Sequence, residues 1–184
     1  VKELGIKHES INLDKHNFLK NLRSLINHHD APIYTISYYL HWQLMQSIAA
    51  KGYKVTISGT AADELFTGYF DHHNLFLHEV SNNKQLYQKS LNAWNKYQKK
   101  IVRNPYLRDP NLYLKDPGFR DHNFMNNDLF ASCMKETWKE SFIENDYVES
   151  LLRNRMLNEL FVETVPVMLH EDDLNAMYFS MENR

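Results

Sequence analysis

The chain has 184 residues, a formal net charge of -2, 43% hydrophobic and 24% charged residues, and a single cysteine. A chain of this length suits one domain, or one domain with a helical appendage, and buries roughly 70% of its unfolded surface, so it folds without a disulfide or metal staple. The near-neutral charge excludes a basic field for nucleic acid, lone Cys133 excludes an internal disulfide, and no apolar run approaches the ~20 residues that span a bilayer. No nucleic-acid partner and no membrane are therefore expected. A reducing cytoplasm is the expected compartment, with Cys133 a buried structural thiol. The start at Val1 without methionine and the end on "FSMENR" suggest a piece excised from a longer protein.

The first expected element is a short strand, "HESINL" (His8–Leu13), in which Ile11 and Leu13 alternate with polar neighbours. Asp14 is placed to cap a helix whose apolar positions Phe18, Leu22, Leu25 and Ile26 recur at helical spacing to about Asn27. The polar "NHHDAP" breaks it. Asp30 can cap the next helix, with Pro32 tolerated in its first turn. Ile33, Ile36, Leu40, Leu44 and Ile48 form one apolar stripe, and Gly52 sits where a left-handed C-terminal cap belongs. "YKVTIS" (Tyr53–Ser58) is a strand with Tyr53, Val55 and Ile57 on one face. Strand, helix, helix and strand in this order predict an α/β sheet covered by helices. Beyond Tyr69 the patterns are helical, with candidates at Asn83–Lys100, Asn127–Lys139 and Asp146–Val165. Among them lies "RNPYLRDPNLYLKDPGF" (Arg103–Phe119), whose X-Pro steps and single glycine predict an extended connector.

Chemistry concentrates in "VTISGTAADELFTGY" (Val55–Tyr69). Ligands of open α/β sheets bind beyond the carboxyl ends of strands, where Ser58-Gly59 lies. Gly59 permits close backbone approach, and Ala61 and Ala62 keep the surface small. A short helix starting near Ala62 would aim free N–H groups at the same crevice, with Asp63 and Glu64 in its first turn. One such carboxylate suffices for magnesium when phosphates supply the remaining ligands. Ordinary capping and tight-turn packing account for the same residues equally well.

The second stretch is "VPVMLHEDDLNAMYFSMENR" (Val165–Arg184). Leu174, Met177, Tyr178 and Met181 predict an amphipathic helix capped by Asp172 or Asp173, its apolar stripe being core. Glu182, one turn beyond Tyr178 at the stripe's edge, is either a proton-transfer group with a raised pKa or a partner of Arg184.

Together the two stretches resemble the synthetase domain of the glutamine-dependent asparagine synthetase family. Ser58–Tyr69 is similar to its SG-x-G-x-DE-x-F-x-GY, matching at Ser58, Gly59, Asp63, Glu64, Phe66, Gly68 and Tyr69. Val165–Arg184 resembles LP-x-LL…D-R-N-S-M-x-x-S-x-E-x-R, matching at Pro166, Leu169, Asp173, Asn175, Met177, Ser180, Glu182 and Arg184. The resemblance implies part of an adenine-nucleotide alpha-hydrolase-like (PP-loop ATPase) parallel sheet, with residues 1–69 a partial nucleotide-binding region and residues 70–184 a helical region. It implies ATP and Mg2+ as cofactors, a small-molecule carboxylate as substrate, and a glutaminase domain or other ammonia source as partner. A homodimer is one assembly it allows. By the same analogy Ser58 and Gly59 line the nucleotide pocket, Asp63 holds magnesium, and Thr60 and Glu182 are catalytic, Glu182 as acid/base for the attacking amine.

Three departures stand out. The family carries an acidic or otherwise functional residue at the position of Thr60, a glycine at that of Ala61, and an arginine at that of Leu174. Thr60 cannot act as a base at neutral pH, which widens the substrate from aspartate to other carboxylates such as a sugar uronic acid. The family's SGGxDS phosphate loop and its N-terminal cysteine glutaminase are not in the sequence, implying a domain fragment or half of a split enzyme. The rival expectation is a non-catalytic helical module that serves as an interaction or regulatory subunit. "FDHH" (Phe70–His73) and "NHHD" (Asn27–Asp30) are expected to be solvent-facing histidines, and "HEDD" (His170–Asp173) a helix N-terminus.

Overall fold

Among the described residues, regular structure begins at Phe18, in helix α1 (Phe18–His29), and returns in α2 (Ile36–Ala49). These elements belong to a computed structural model that describes residues 3–12, 16–120, 132–135 and 143–184. The chain forms two compact units, one built from residues up to Thr60 together with Thr164–Arg184, the other from Ala61–Glu163.

In the first unit, α1 follows its expected pattern: Leu25 is fully buried and packs with Tyr39 and Trp42, flanked by Phe18 and Leu22. The expected cap Asp14, like Leu13, lies outside the described residues. Residues 8–12 have no strand pairing, so the predicted first strand does not form there. Asp30 does not cap α2. It ends α1 with a left-handed φ of 53°, while Thr35 precedes α2 without a capping hydrogen bond and Pro32 stays in the connector. The expected stripe is split: Ile36, Leu40 and Leu44 on α2 are exposed, Ile33 and Ile48 are partly buried against the core, and Tyr38, Tyr39, Trp42 and Met45 of α2 are buried. The helix is apolar on both sides, and the aromatic side wins because it has more surface to bury. Trp42 lies against Tyr178 and Phe179, with ring centroids 5.4 Å away from each. Gly52 has the expected left-handed φ, 85°.

Strand β1 (Val55–Thr56) pairs in parallel with β2 (Glu182–Asn183), Val55 opposite Glu182 and Thr56 opposite Asn183. Helix α8 (Val165–Met177) leads into β2. Asp172 and Asp173 lie inside this helix and do not cap it, and "HEDD" is likewise helix interior. Nor does the helix continue to Glu182. It ends in a Schellman motif: Met181 N donates to Ala176 O at 3.1 Å, Ser180 N donates to Met177 O at 2.9 Å, and Ser180 takes a left-handed φ of 55°. Met181 folds back into a core with Met45 and Ala176, which turns the chain from helix to strand.

The second unit is helical. It contains α3 (Ala62–Phe66), α4 (Phe70–Glu79) and α5 (Lys84–Ala93), the last running into a π-helical turn at Trp94–Gln98. A 3₁₀ turn (Tyr106–Arg108) and α6 (Leu112–Lys115) follow, then α7 (Leu151–Asn158) with a second π-helical turn at Glu159–Glu163. Asn83 caps α5 by accepting from Leu86 N at 3.1 Å, and Ser150 caps α7 by accepting from Arg153 N at 3.2 Å. Asp146 therefore does not start the last helix of this unit. The predicted extended connector is folded, because buried Asn74 donates to Leu107 O at 3.0 Å and to Asp109 O at 3.2 Å. The helix expected at Asn127–Lys139 falls mostly outside the described residues. Cys133 is exposed, and so is not the buried thiol expected of it. The protein is thus α/β, mostly helical with a small two-stranded parallel sheet, and among the described residues no helix is long and apolar enough to cross a membrane.

Candidate functional site

The parallel ladder joins the two stretches that carry the sequence signal. Arg184 N donates to Thr56 O at 3.0 Å, and Ser58 N donates to Arg184 O at 3.0 Å. Side chains extend the join: Thr56 Oγ1 donates to Asn183 Oδ1 at 2.9 Å, and Asn183 Nδ2 donates to Ser58 Oγ at 3.3 Å. Ser58 Oγ lies 3.0 Å from Thr60 Oγ1, which donates to Asp172 Oδ2 at 3.2 Å. The other oxygen of Asp172 accepts from His41 Nδ1 at 2.8 Å. Ser58, Thr60, Asn183, Asp172 and His41 therefore form one hydrogen-bonded chain in the first unit.

The buried face of α8 is polar, and that is why Asp172 is available. Glu171, Asp172 and Asn175 are buried along with Ala176, while Met177 of the predicted stripe is exposed. Each polar group meets a partner from α1 or α2: Glu171 lies 3.3 Å from His29 Nδ1, and Asn175 Nδ2 donates to Tyr38 O at 3.1 Å. His29 of "NHHD" is thus buried, contrary to expectation. Burial lowers its pKa, against the pull of Glu171. His41 is raised above 6.5 by its hydrogen bond to Asp172, with burial opposing. Burial, then the charges of Asp172 and Glu171, push the Tyr38 phenol up to about 12. Sequence periodicity missed both His41 and Asp172. The only available signal was a carboxylate at an interior helical position with no partner near it in sequence.

Gly59 is open: a Cβ there would meet no heavy atom within 4 Å, and its φ is not left-handed. Ala61, by contrast, has φ 71°. This is the position where the resembled family has glycine, and an L-residue there costs on the order of 1 kcal/mol. Glu182 lies on β2, exposed, and accepts from Arg184 Nε at 2.8 Å.

In the second unit, α3 begins at Ala62 as expected, and its two carboxylates diverge. Asp63 is exposed, and its carboxylate fills the space above Gly68, where any Cβ would collide with it. Glu64 is buried and accepts from the Tyr69 hydroxyl. Burial, and then Glu64, raise the Tyr69 pKa. The "FDHH" histidines are not solvent-facing either. His72 is 1% exposed with Nε2 2.8 Å from Glu159 Oε2, and His73 is half-buried. Asp71, His72 and Glu159 bring ligand-type atoms within 4.8 Å of one another. However, Arg155 Nε stands 3.0 Å from Glu159 and 3.6 Å from Asp71, so a guanidinium already supplies the positive charge a metal would bring. This cluster is an ion-paired core.

Comparison with known proteins agrees with the joined stretches. The family model described as Asparagine synthase matches residues 1–184. No curated protein and no solved structure matches. That family is of the ligase type, uses ATP and amidates carboxylates. The chain belongs to the asparagine synthase family.

Proposed function

We propose that this chain carries part of the active site of an ATP-dependent amidotransferase that works through an acyl-adenylate. The observation that carries this reading is the meeting of the two motif stretches, Ser58 N on Arg184 O at 3.0 Å across the parallel ladder. In the proposed reaction an oxygen of the substrate carboxylate bonds to the α-phosphorus of ATP, and the bond to the β-phosphate oxygen breaks, releasing pyrophosphate. Ammonia then attacks the acyl carbon, AMP leaves, and the nitrogen loses a proton. Glutamine, hydrolysed in a glutaminase domain, or another ammonia source supplies the nitrogen.

Residues 1–69 serve as the nucleotide-binding region of a PP-loop ATPase sheet, and residues 70–184 as the helical region. Ser58 and open Gly59 line the nucleotide, and the Thr60 hydroxyl touches the reacting groups. Glu182 takes the amine's proton, released for that task from Arg184. The residues fit magnesium held jointly with phosphates, since Asp63 is exposed and Gly68 keeps its carboxylate clear. When bound, magnesium neutralises phosphate charge as pyrophosphate departs. Asp63 would hold it. The substrate is aspartate or, given Thr60, another carboxylate such as a sugar uronic acid, and the enzyme works in the cytoplasm.

The test is pyrophosphate release by the complete protein with ATP, magnesium and glutamine across a panel of carboxylic acids. Release with one acid, slowed in D63N, is expected. Release with none of them refutes the reading.

A further inference from the structure

One face of α7 borders a cavity in the second unit. Arg153, Met156 and Leu157, with Leu160 in the π-helical turn that follows, recur at i, i+3, i+4 and i+7. They line the cavity together with Val148 and, from α3, Glu64 and Leu65. Its volume is about 260 Å³. An apolar cavity of roughly 150 Å³ takes a benzene ring, so this one has room for a single small molecule. The walls other than Glu64 and Arg153 are apolar, and Leu65 and Val148 keep 50% and 45% of their surface exposed.

Two charges interrupt those walls, and neither is fully met within the protein. Glu64 is 2% exposed, and one of its oxygens accepts from the Tyr69 hydroxyl. The other has no hydrogen-bond partner among the described residues. A buried carboxylate oxygen without a donor is costly, and a ligand that brings one removes the cost. Arg153 is exposed and, unlike Arg155, has no ion pair among the described residues. Glu64 and Arg153 border one cavity yet do not pair with each other, so each is left for a ligand lying in it.

We propose that this cavity binds a free α-amino acid with an aliphatic side chain. The ammonium gives hydrogens to the second oxygen of Glu64, and the carboxylate takes the donors of the Arg153 guanidinium. Both contacts are charge-assisted, the stronger kind of hydrogen bond. The aliphatic side chain covers Leu157, Leu160 and their apolar neighbours. An acidic side chain is turned away, because a second carboxylate desolvated among those residues has no partner. A simple amine leaves Arg153 unmet, and a simple carboxylate leaves Glu64 unmet. The site is additional to the amidation reading and does not depend on it.

The test is isothermal titration calorimetry of the complete protein, without ATP, using L-leucine, isoamylamine, isocaproate and L-aspartate as probes. Leucine should bind saturably, and each of the others on the order of tenfold more weakly. E64Q, which still accepts from Tyr69 but meets the ammonium without charge, should weaken leucine binding on the order of tenfold, and so should R153Q. Arg153 is exposed, so R153Q decides where E64Q does not fold. No saturable binding of leucine, equal binding of any other probe, or unchanged leucine affinity in R153Q overturns the proposal.

Discussion

Replacing Arg155 with methionine should remove a large part of the stability of the second unit. The Arg155 side chain is 5% exposed and faces Asp71 at 3.6 Å, Glu159 at 3.0 Å, Glu144 at 3.1 Å and Glu163 in a shorter contact. Glu144 keeps a second cation, Arg120 Nε at 2.7 Å, and Glu159 keeps His72 at 2.8 Å. Asp71 and Glu163 lose their guanidinium outright. Breaking a buried pair by removing one partner costs about 3–5 kcal/mol, against a total stability of about 5–15 kcal/mol for a domain. At roughly 2–4 °C per kcal/mol for a chain of this size, melting should fall by roughly 6–20 °C. The loss should also depend on pH. Burial holds the Glu163 carboxyl above its usual range, with Arg155 pulling the other way, so removing Arg155 raises it further. A carboxyl raised in the folded state binds protons more readily folded than unfolded. Stability is therefore gained as pH falls through the raised value, and lost as pH rises from the unfolded value through it. Urea unfolding of R155M and wild type at pH 7 and pH 5 should show a smaller deficit at the lower pH. A deficit below ~1 kcal/mol at pH 7, or an equal one at both pH values, would refute the reasoning.

Y69F removes the hydroxyl that serves buried Glu64 and should cost about 1–3 kcal/mol by urea unfolding. A change within the error of the midpoint would mean Glu64 is served by other groups. G68A drives a Cβ into the Asp63 carboxylate. In the complete enzyme it should raise the half-saturating magnesium concentration severalfold, and add nothing further in a D63N background. Additive effects would separate Gly68 from Asp63. His41 is raised above 6.5 by Asp172, so its pairing contributes fully below the unfolded pKa and fades as pH rises through the folded one. H41Q should flatten stability across that window, and the wild-type ring should titrate above 6.5 by NMR. A slope that survives H41Q would place the titrating group elsewhere.

Local chemistry was legible where one element decides the outcome alone. Helix α1 follows from Phe18, Leu22 and Leu25, the left-handed turn follows from Gly52, and α3 begins at Ala62, after a turn at Thr60-Ala61. Prediction failed where two elements had to meet. The apolar stripe through Ile36, Leu40 and Leu44 is a valid helical face, yet the facing aromatics Tyr178 and Phe179 select the Tyr39–Trp42 side. Glu182 continues a helical count, but the burial of Met181 against Met45 and Ala176 ends the helix first. His72 looked like a surface histidine because its partner, Glu159, is distant in sequence.

The amino-acid sequence by itself determined the family and the residues of its two motifs, because side-chain types at short spacing survive any arrangement of the chain. Only tertiary structure decided that Ser58 meets Asn183, that Thr60 gives its hydrogen to Asp172, and that Arg155 neutralises a buried acidic cluster. Those partners are polar, and a buried polar group is stable only beside a complement, whatever its distance along the chain. Periodicity counts apolar positions, so it is blind to these pairings.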